Sequence, residues 1–164
     1  MSEWAEEIRE PLANRGLEGS VLNVNKTIAR HTKLFKRWNV FATHILFKQT
    51  LPPRHREILI LRIGWLCKSA YEWNAHQGFA RNAGLTQDEI ERIKSGPDTD
   101  GWDEFEALLL RAADELHGDA MISDAVWEGL SRRYNNQQML DLIFTVGQYN
   151  MVCMALNSLG VQIE

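Results

Sequence analysis

The sequence contains little that interrupts a helix or links distant segments covalently. Among its 164 residues there are only two cysteines and four prolines. Two cysteines do not make a disulfide framework, so a reducing, cytoplasmic location is expected. There is also no run of about 18 apolar residues, the length that a membrane span needs. The first residues, MSEWAEEIREPLANRG, are acidic and polar and lack the apolar centre of a signal peptide.

An excess of basic charge is also absent. The sequence has 18 Lys and Arg against 22 Asp and Glu, and 45% of its residues are hydrophobic. With a net charge of -4, no positive field attracts nucleic acid or an anionic membrane, and neither is expected as a partner. Folding at this length buries about 70% of the unfolded surface, which is enough for a real core. We expect a single domain over residues 1–164, with a core at about 45–164 and an N-terminal helical extension at 1–44.

The pattern of apolar residues predicts an all-α fold, a single-domain helical bundle. After residue 54 only Pro97 interrupts the chain, and no segment alternates like a strand between hairpin turns. Near-helical spacing predicts one long or two short helices from Asn23 to Lys48, then a nearly all-apolar central helix from Glu57 to Leu66. Further helices are expected at residues 71–83, 87–94, 102–117, around 126–130, and 137–159.

Whether a site can form depends on a break between two helices near Ser69. The segment SAYE has the form of a capping box, with Ser69 as the N-cap and Glu72 at the third helical position. Glu57 and His76 are 19 residues apart, and on one continuous helix they would be separated by about 28 Å. They can therefore meet only if the chain turns near Ser69.

Glu57 falls in the first turn of the expected central helix. A carboxylate at that position is favoured by the helix dipole, and it can pair with Arg54 or Arg62. The functional alternative is a partly buried base whose ionisation is tuned by its surroundings.

Glu72 and His76 are four residues apart and share one face of a helix. A carboxylate beside an imidazole fixes the tautomer of the ring and raises its basicity, which makes the pair a general acid/base unit. The alternative is a solvated ion pair, or a capping Glu72 with His76 at an interface. The five histidines show no HxxxH or HExxH spacing, so neither a metal site nor a cofactor is expected.

Cys67 closes the expected central helix, where the dipole does not stabilise a thiolate. The sequence has no CxxC, and a lone buried cysteine usually behaves as a small hydrophobic residue. Cys153, among Met151, Val152 and Met154, has the sequence context of a core residue.

Three motifs carry a resemblance to a known family. They are R-E-x-x-x-L-R at 56–62, Y-E-W-x-x-H at 71–76 and A-x-x-x-G-L-T at 80–86. With EALLLRAADEL and the ending VGQYNMVCMALNSLGVQIE, this pattern resembles the carboxymuconolactone decarboxylase family, which includes alkylhydroperoxidase D. The resemblance implies an all-helical fold of the alkylhydroperoxidase D-like type, and protomers that assemble into trimers or hexamers.

The resemblance also implies a site. In the antioxidant branch of the family, a glutamate on one helix and a histidine on the next relay protons for a C-x-x-C that opens the second helix. Glu57 and His76 match the relay residues, whereas Ser69 and Glu72 fall at the two cysteine positions. A serine and a glutamate cannot perform a thiol peroxidase cycle. Cys67 is two positions before the first of them and is no simple substitute, so the departure points to the acid/base branch.

The first hypothesis is therefore a cofactor-free lyase, of the decarboxylase type, or an isomerase acting on a small carboxylated or lactone-like molecule. His76 is the expected general acid/base, Glu57 orients it or shares its proton, and Glu72 is a second carboxylate at the pocket. Substrate contacts are expected from Tyr71, Trp73 and Ser69, and from Arg62 or Arg81 for a substrate carboxylate.

Two alternatives remain open. One is an alkylhydroperoxidase D-like redox protein that uses Cys67 alone, and an unreactive Cys67 at neutral pH would eliminate it. The other is a non-catalytic oligomeric binding protein, in which Glu57→Gln and His76→Ala would leave ligand-dependent behaviour nearly intact. The six tryptophans also suggest that some aromatic residues lie at an interface between copies.

Overall fold

The computed structural model describes residues 22–164, and in that range the chain is all-helical. Residues 1–21 of the expected N-terminal extension, including Trp4, lie outside the described residues. The predicted all-α class is confirmed. The helices are α1 (Asn23–Ile28), α2 (Thr32–Phe47), α3 (Pro53–Leu66), α4 (Ala70–Asn82), α5 (Gln87–Ile93), α6 (Glu104–Gly118), α7 (Asp124–Ser131) and α8 (Asn136–Leu159).

Capping residues explain where the helix boundaries differ from the expected ones. The segment from 23 to 48 forms two helices, because His31 caps α2 by accepting a hydrogen bond from the Leu34 N–H. α3 begins four residues before Glu57, since Pro53 suits the first helical position, where no N–H is needed. α6 begins at Glu104, two residues later than expected, because the Asp103 side chain accepts the N–H of Glu106.

α3 is the central helix, as its composition predicts. Five apolar side chains on it, at positions 58–61 and 63, are completely buried. The helix packs against α4 on one side and against α6 and α8 on others, so every face of it is covered. These buried residues are Ile58, Leu59, Ile60, Leu61 and Ile63.

The chain turns between α3 and α4 at the position that the sequence predicts. Lys68 adopts a left-handed backbone conformation with φ of 55°, and Ser69 caps α4 by accepting the N–H of Glu72 at 3.4 Å. Only this half of the predicted capping box forms, because the Glu72 side chain lies beside His76 instead of returning to the N-cap. The turn brings Glu57 next to the middle of α4; Glu57 lies in the second turn of α3, not in the first as expected, because the helix begins at Pro53.

α8 is the one helix within residues 22–164 that has the length and composition of a membrane span. It has 24 residues, and half of its most apolar stretch is buried inside the protein. Length and composition do not distinguish a span from the core helix of a bundle. The buried side of α8 contacts α3, which is the packing of a core helix.

Candidate active site

Glu57 and His76 meet across the α3–α4 turn. The Oε2 atom of Glu57 lies 2.8 Å from Nδ1 of His76. Glu57 is completely buried and only 5% of His76 is exposed. With Glu57 ionised, Nδ1 carries the proton and donates it to the carboxylate, which leaves Nε2 of His76 free to accept or donate on the other side of the ring.

Arg56 is the basic partner of Glu57. Its Nε atom donates to Oε1 of Glu57 at 2.9 Å. The expected pairing of Glu57 with Arg54 or Arg62 is wrong, because Arg54 reaches across to α6 and contacts Glu106. One carboxylate oxygen of Glu57 is therefore held by a guanidinium and the other by an imidazole, which fixes its position.

Glu72 lies on the opposite side of the His76 ring. Its Oε2 atom is 3.5 Å from Nε2 of His76, and 5% of its surface is exposed. Glu57, His76 and Glu72 thus form a continuous row of groups that can pass a proton, which we call the relay.

Burial and charge shift the protonation of the relay. Burial raises the pKa of Glu72; His76 opposes this shift, and the nearby charge of Glu57 adds to it. Burial alone would lower the pKa of His76, but the hydrogen bond and charge of Glu57, with the charge of Glu72, raise it. Both shifts favour the protonated forms, so Glu72 and His76 retain protons more readily here than the same groups do in water.

The relay borders a small, mostly apolar cavity of about 80 Å³. The His76 ring packs edge-on against Tyr149, with ring centroids 4.9 Å apart, and beside Phe79 at 5.3 Å. No lysine or arginine lines the cavity among the described residues. The rest of the lining comes from the segment before α1 and from α1, α2, α4 and α8: Leu22, Val24, Trp38, Ala42, Leu46, Phe47, Tyr71, Glu72, Ala75, Gln148 and Val152.

Gln148 is a site residue that the sequence analysis missed. It lines the cavity from α8 and is 4% exposed, and its Oε1 atom has no hydrogen-bond partner within residues 22–164. A buried carbonyl oxygen without a donor is costly, and it is normally satisfied by a ligand or a water molecule. A polar residue on the buried side of an otherwise apolar helix was the available signal.

Tyr71 lines the cavity, but its hydroxyl group is already engaged. It donates to Oε1 of Glu164 at 2.8 Å and accepts from the backbone N–H of Val24 at 3.3 Å. Tyr71 therefore connects the start of α1 to the C-terminal segment. Its role as a substrate hydrogen-bond donor stays a prediction, and it requires one of these two contacts to open.

Trp73 and Ser69 lie away from the cavity. Both border a separate groove, in which the Trp73 ring contacts Trp65 at 5.6 Å and the Lys94 ammonium at 4.8 Å. Ser69 is buried and uses its hydroxyl oxygen as the cap of α4. In this arrangement neither residue contacts the space beside His76.

The two candidate anchors for a substrate carboxylate are also elsewhere. Arg62 is buried and holds both oxygens of Asp114, at 2.6 and 2.9 Å, as well as the backbone carbonyl of Ile93. Arg81 is exposed and contacts Gln87. Among residues 22–164, no group of three or more His, Cys, Asp and Glu side chains is arranged to hold a metal ion.

The sequence model of the carboxymuconolactone decarboxylase family matches residues 32–115, slightly more than half of the chain. The chain belongs to the carboxymuconolactone decarboxylase family. The matched segment of this family member includes Glu57, Glu72 and His76, so the relay lies within the family's shared region. No curated protein matches the chain.

Solved structures share the fold of this family member. An alkylhydroperoxidase core described as an uncharacterized peroxidase-related protein, from Ralstonia eutropha, superimposes with a TM-score of 0.87 and 15% identity over 99% of this chain and 88% of that one. A peroxidase-related protein from a Silicibacter species gives 0.79 and 19% over 90% and 78%. The debrominase Bmp8, solved with 2,3,4-tribromopyrrole, gives 0.76 and 12% over 96% and 82%. These identities establish the alkylhydroperoxidase-like fold alone.

Proposed function

We propose that this protein is a cofactor-free acid/base enzyme, a decarboxylase-like lyase or isomerase that acts on a small carboxylated or lactone-like substrate. The observation that carries the proposal is the buried Glu57–His76–Glu72 relay at the edge of a mostly apolar cavity. Titratable groups whose pKa values are perturbed beside a cavity are the usual signature of proton-transfer chemistry.

The geometry favours a division of roles within the relay. Glu57, held by Arg56, fixes the tautomer of His76 through Nδ1. Glu72 lines the cavity and has a raised pKa, so it is the group that holds a proton for the substrate. His76 then restores that proton through Nε2. Glu72, and not His76 as the sequence predicts, is therefore the direct proton donor in this proposal.

Decarboxylation follows from these roles in two balanced steps. The substrate carboxylate loses CO₂ and leaves its electron pair on carbon as an enolate. The Glu72 carboxyl group donates its proton to that carbon, His76 returns a proton to Glu72, and His76 takes up a proton from solvent, so that each turnover consumes one proton and releases one CO₂. Because no lysine or arginine lines the described cavity, the site does not stabilise the ground-state carboxylate, and an apolar surrounding favours the loss of that charge as CO₂.

The size of the cavity limits the substrate. A cavity of about 150 Å³ is known to bind a benzene ring, and the space beside His76 measures only about 80 Å³. A lactone ring therefore requires an outward movement of one wall. The wall formed by Leu22 and Val24 is the candidate, since the polar contacts that hold it to the rest of the protein are the bond from Val24 to Tyr71 and the bonds from Asn23 to Gln162 and Glu164.

The direct test is incubation of the purified protein with 4-carboxymuconolactone, with CO₂ release as the readout. We expect release from the wild type and a loss of about 100-fold or more in His76→Ala. Trp127→Phe, in α7 and outside the cavity lining, is the matched control and should keep full activity. No release by the folded wild-type protein would exclude 4-carboxymuconolactone as the substrate. Equal release by His76→Ala would exclude a catalytic role for the relay.

We also propose that a second copy of the chain covers an apolar strip on α8, in a homo-oligomer that is a trimer or a hexamer. Leu140, Phe144, Met151 and Met154 are all about half exposed or more and recur at helical spacing. Such a strip is unusual on a monomer surface. Sedimentation at micromolar concentration should show a trimer or larger species, and Met151→Lys should shift it to monomer. A monomeric wild type would refute the assembly.

A further inference from the structure

The side chain of Gln148 carries a buried carboxamide that the described protein leaves unpaired. Gln148 lines the cavity beside His76 from α8, and only 4% of it is exposed. Within residues 22–164 its Oε1 atom has no hydrogen-bond partner, and its Nε2 atom forms no hydrogen bond either. Burying an amide without partners is costly, because the hydrogen bonds that water supplies are lost. The carboxamide is therefore a group that a ligand in the cavity can pair.

The other polar side chains of the cavity lining already interact with the protein. Each of them has a partner among the described residues or elsewhere in the chain. They are Trp38, Tyr71, Glu72, His76 and Tyr149. Cys67 lies outside the cavity lining, and its thiol donates to Oδ1 of Asn150 at 3.0 Å. Among the described lining residues, Gln148 is thus the neutral donor and acceptor that is available to a ligand.

Gln148 and the relay reach the same small space from different helices. Tyr149, the next residue of α8, packs edge-on against the His76 ring with centroids 4.9 Å apart, and Val152 lines the cavity one turn further along. Glu72 and His76 line it from α4. Because the cavity measures only about 80 Å³, a ligand inside it contacts groups from both helices. A ligand that exchanges a proton with the relay is therefore also within reach of the Gln148 carboxamide.

Proton transfer at a carbon next to a carbonyl group places negative charge on the carbonyl oxygen. No lysine or arginine lines the described cavity, so this charge needs a neutral hydrogen-bond donor. The side-chain N–H of a glutamine serves this purpose in oxyanion-binding sites. The terminal torsion of a glutamine side chain is soft, so the same carboxamide can donate to an enolate or accept from the O–H of an enol.

We propose that the Gln148 carboxamide binds the carbonyl oxygen of the substrate as that oxygen becomes an enolate. The inference rests on the proposed acid/base function and makes Gln148 a catalytic residue. Ionised Glu72 takes a proton from the carbon next to the carbonyl group. The C–H electron pair forms a C=C bond, and the carbonyl π pair moves to the oxygen, which accepts from Nε2 of Gln148. Return of the proton from Glu72 to carbon reverses each change.

This role narrows the class of substrate. In decarboxylation the electron pair of the C–CO₂ bond takes the place of the C–H pair, and it must reach a carbonyl oxygen to be stabilised by Gln148. The substrate is therefore an acid whose departing carboxylate is conjugated to a carbonyl group, as in a β-keto acid or a carboxylated unsaturated lactone. A simple aliphatic acid has no oxygen that can use this site.

Deuterium exchange of a small ketone tests the inference without a decarboxylation substrate. The folded protein is incubated with acetone in D₂O, and NMR follows loss of the methyl proton signal. We expect exchange above the buffer rate, and a fall of about 10²- to 10³-fold in Gln148→Met, since methionine has a similar size but no N–H. Gln137→Met, at an exposed position of the same helix, is the matched control and should keep the full rate.

Urea unfolding separates a catalytic role from a structural one. No hydrogen bond within residues 22–164 is lost in Gln148→Met, and an unsatisfied buried amide is removed. The variant should therefore be at least as stable as the wild type, although it is much less active. A fall in exchange that is accompanied by a clear loss of stability would assign Gln148 a structural role and overturn the proposal.

Two further outcomes would overturn the proposal: full exchange in Gln148→Met, and no exchange above the buffer rate by the folded wild-type protein. Failure of the decarboxylase function gives a different pattern. In that case 4-carboxymuconolactone releases no CO₂, while acetone exchange persists and still falls in both Gln148→Met and Glu72→Gln. Circular dichroism establishes that each variant is folded, and Gln148→Leu provides a second variant if Gln148→Met fails to fold.

Discussion

Replacing Glu72 with glutamine is expected to lower turnover by about 10²- to 10⁴-fold, the range typical of a lost general acid or base. Glutamine keeps the size of the side chain and its place beside His76, but it has no proton to give to the substrate. Steady-state kinetics with the substrate identified by CO₂ release measures the effect. The matched control is Glu91→Gln, since Glu91 is half exposed and pairs with Lys94 on the surface of α5. Full activity of Glu72→Gln would indicate that His76, and not Glu72, is the proton donor.

The same substitution should also change how stability depends on pH. The folded-state pKa values of Glu72 and His76 both lie above their ordinary values, so the folded protein binds more protons than the unfolded chain. The stability that His76 contributes is fully present below its ordinary pKa of 6.5, and it is lost as the pH rises through the raised value. The Glu72 contribution has the same sign and is lost as the pH rises from 4.5 through the raised pKa of Glu72, so unfolding becomes easier as the pH rises.

In Glu72→Gln the carboxyl part of this pH dependence disappears. Urea unfolding at a series of pH values should therefore show a smaller loss of stability as the pH rises above 4.5 than in the wild type, and a more stable protein above the raised pKa of Glu72. The variant would be less active and more stable, as expected when an active-site group is kept in an unfavourable environment. An unchanged slope would mean that the Glu72 carboxyl does not titrate differently in the folded protein.

Removing the Glu57 side chain is expected to lower the free energy of unfolding by about 3–5 kcal/mol, the usual cost of breaking a buried ion pair. Glu57 is completely buried, and its two oxygens hold Arg56 and His76. In Glu57→Ala, these two groups stay largely buried without their acceptor. The loss would be larger than that of an ordinary surface carboxylate.

Chemical denaturation of Glu57→Ala against the wild type measures this effect. Asp98→Ala is the matched control, because Asp98 pairs with Arg111 at 2.6 Å but is 83% exposed. The loss in this control should stay below about 1 kcal/mol. Equal losses in both variants would mean that burial adds nothing to the Glu57 pair. Glu57→Gln keeps the volume of the side chain and separates loss of packing from loss of charge.

The features of the fold that depend on residues close together in sequence were predictable. A run of apolar residues without a polar face predicts that α3 is central, and the Ser69 cap predicts the turn that brings Glu57 to His76. Each of these signals lies within a few neighbouring residues, where backbone hydrogen bonding and burial act directly. The same local logic was insufficient for the capping box, since the burial of Glu72 beside His76 competes with its return to the N-cap.

Partners that are distant in sequence were not predictable. The bond from Arg62 to Asp114, the bond from Cys67 to Asn150, and the place of Gln148 all depend on how helices pack against one another. From sequence alone, an arginine that binds an aspartate cannot be distinguished from an arginine that is available to bind a substrate. Only the assembled core shows which polar groups are already satisfied.

The wall of the cavity beside Val24 has a consequence for biosynthesis. Asn23 and Tyr71 both bond to Glu164, and the Asn23 side chain bonds to the carbonyl of Gln162. While the ribosome still encloses residues 162–164, the relay between α3 and α4 can already assemble, but the start of α1 lacks its hydrogen bonds to Gln162 and Glu164. The cavity is therefore completed only after translation of residues 162–164, and truncated translation products would contain the relay without a closed cavity beside it.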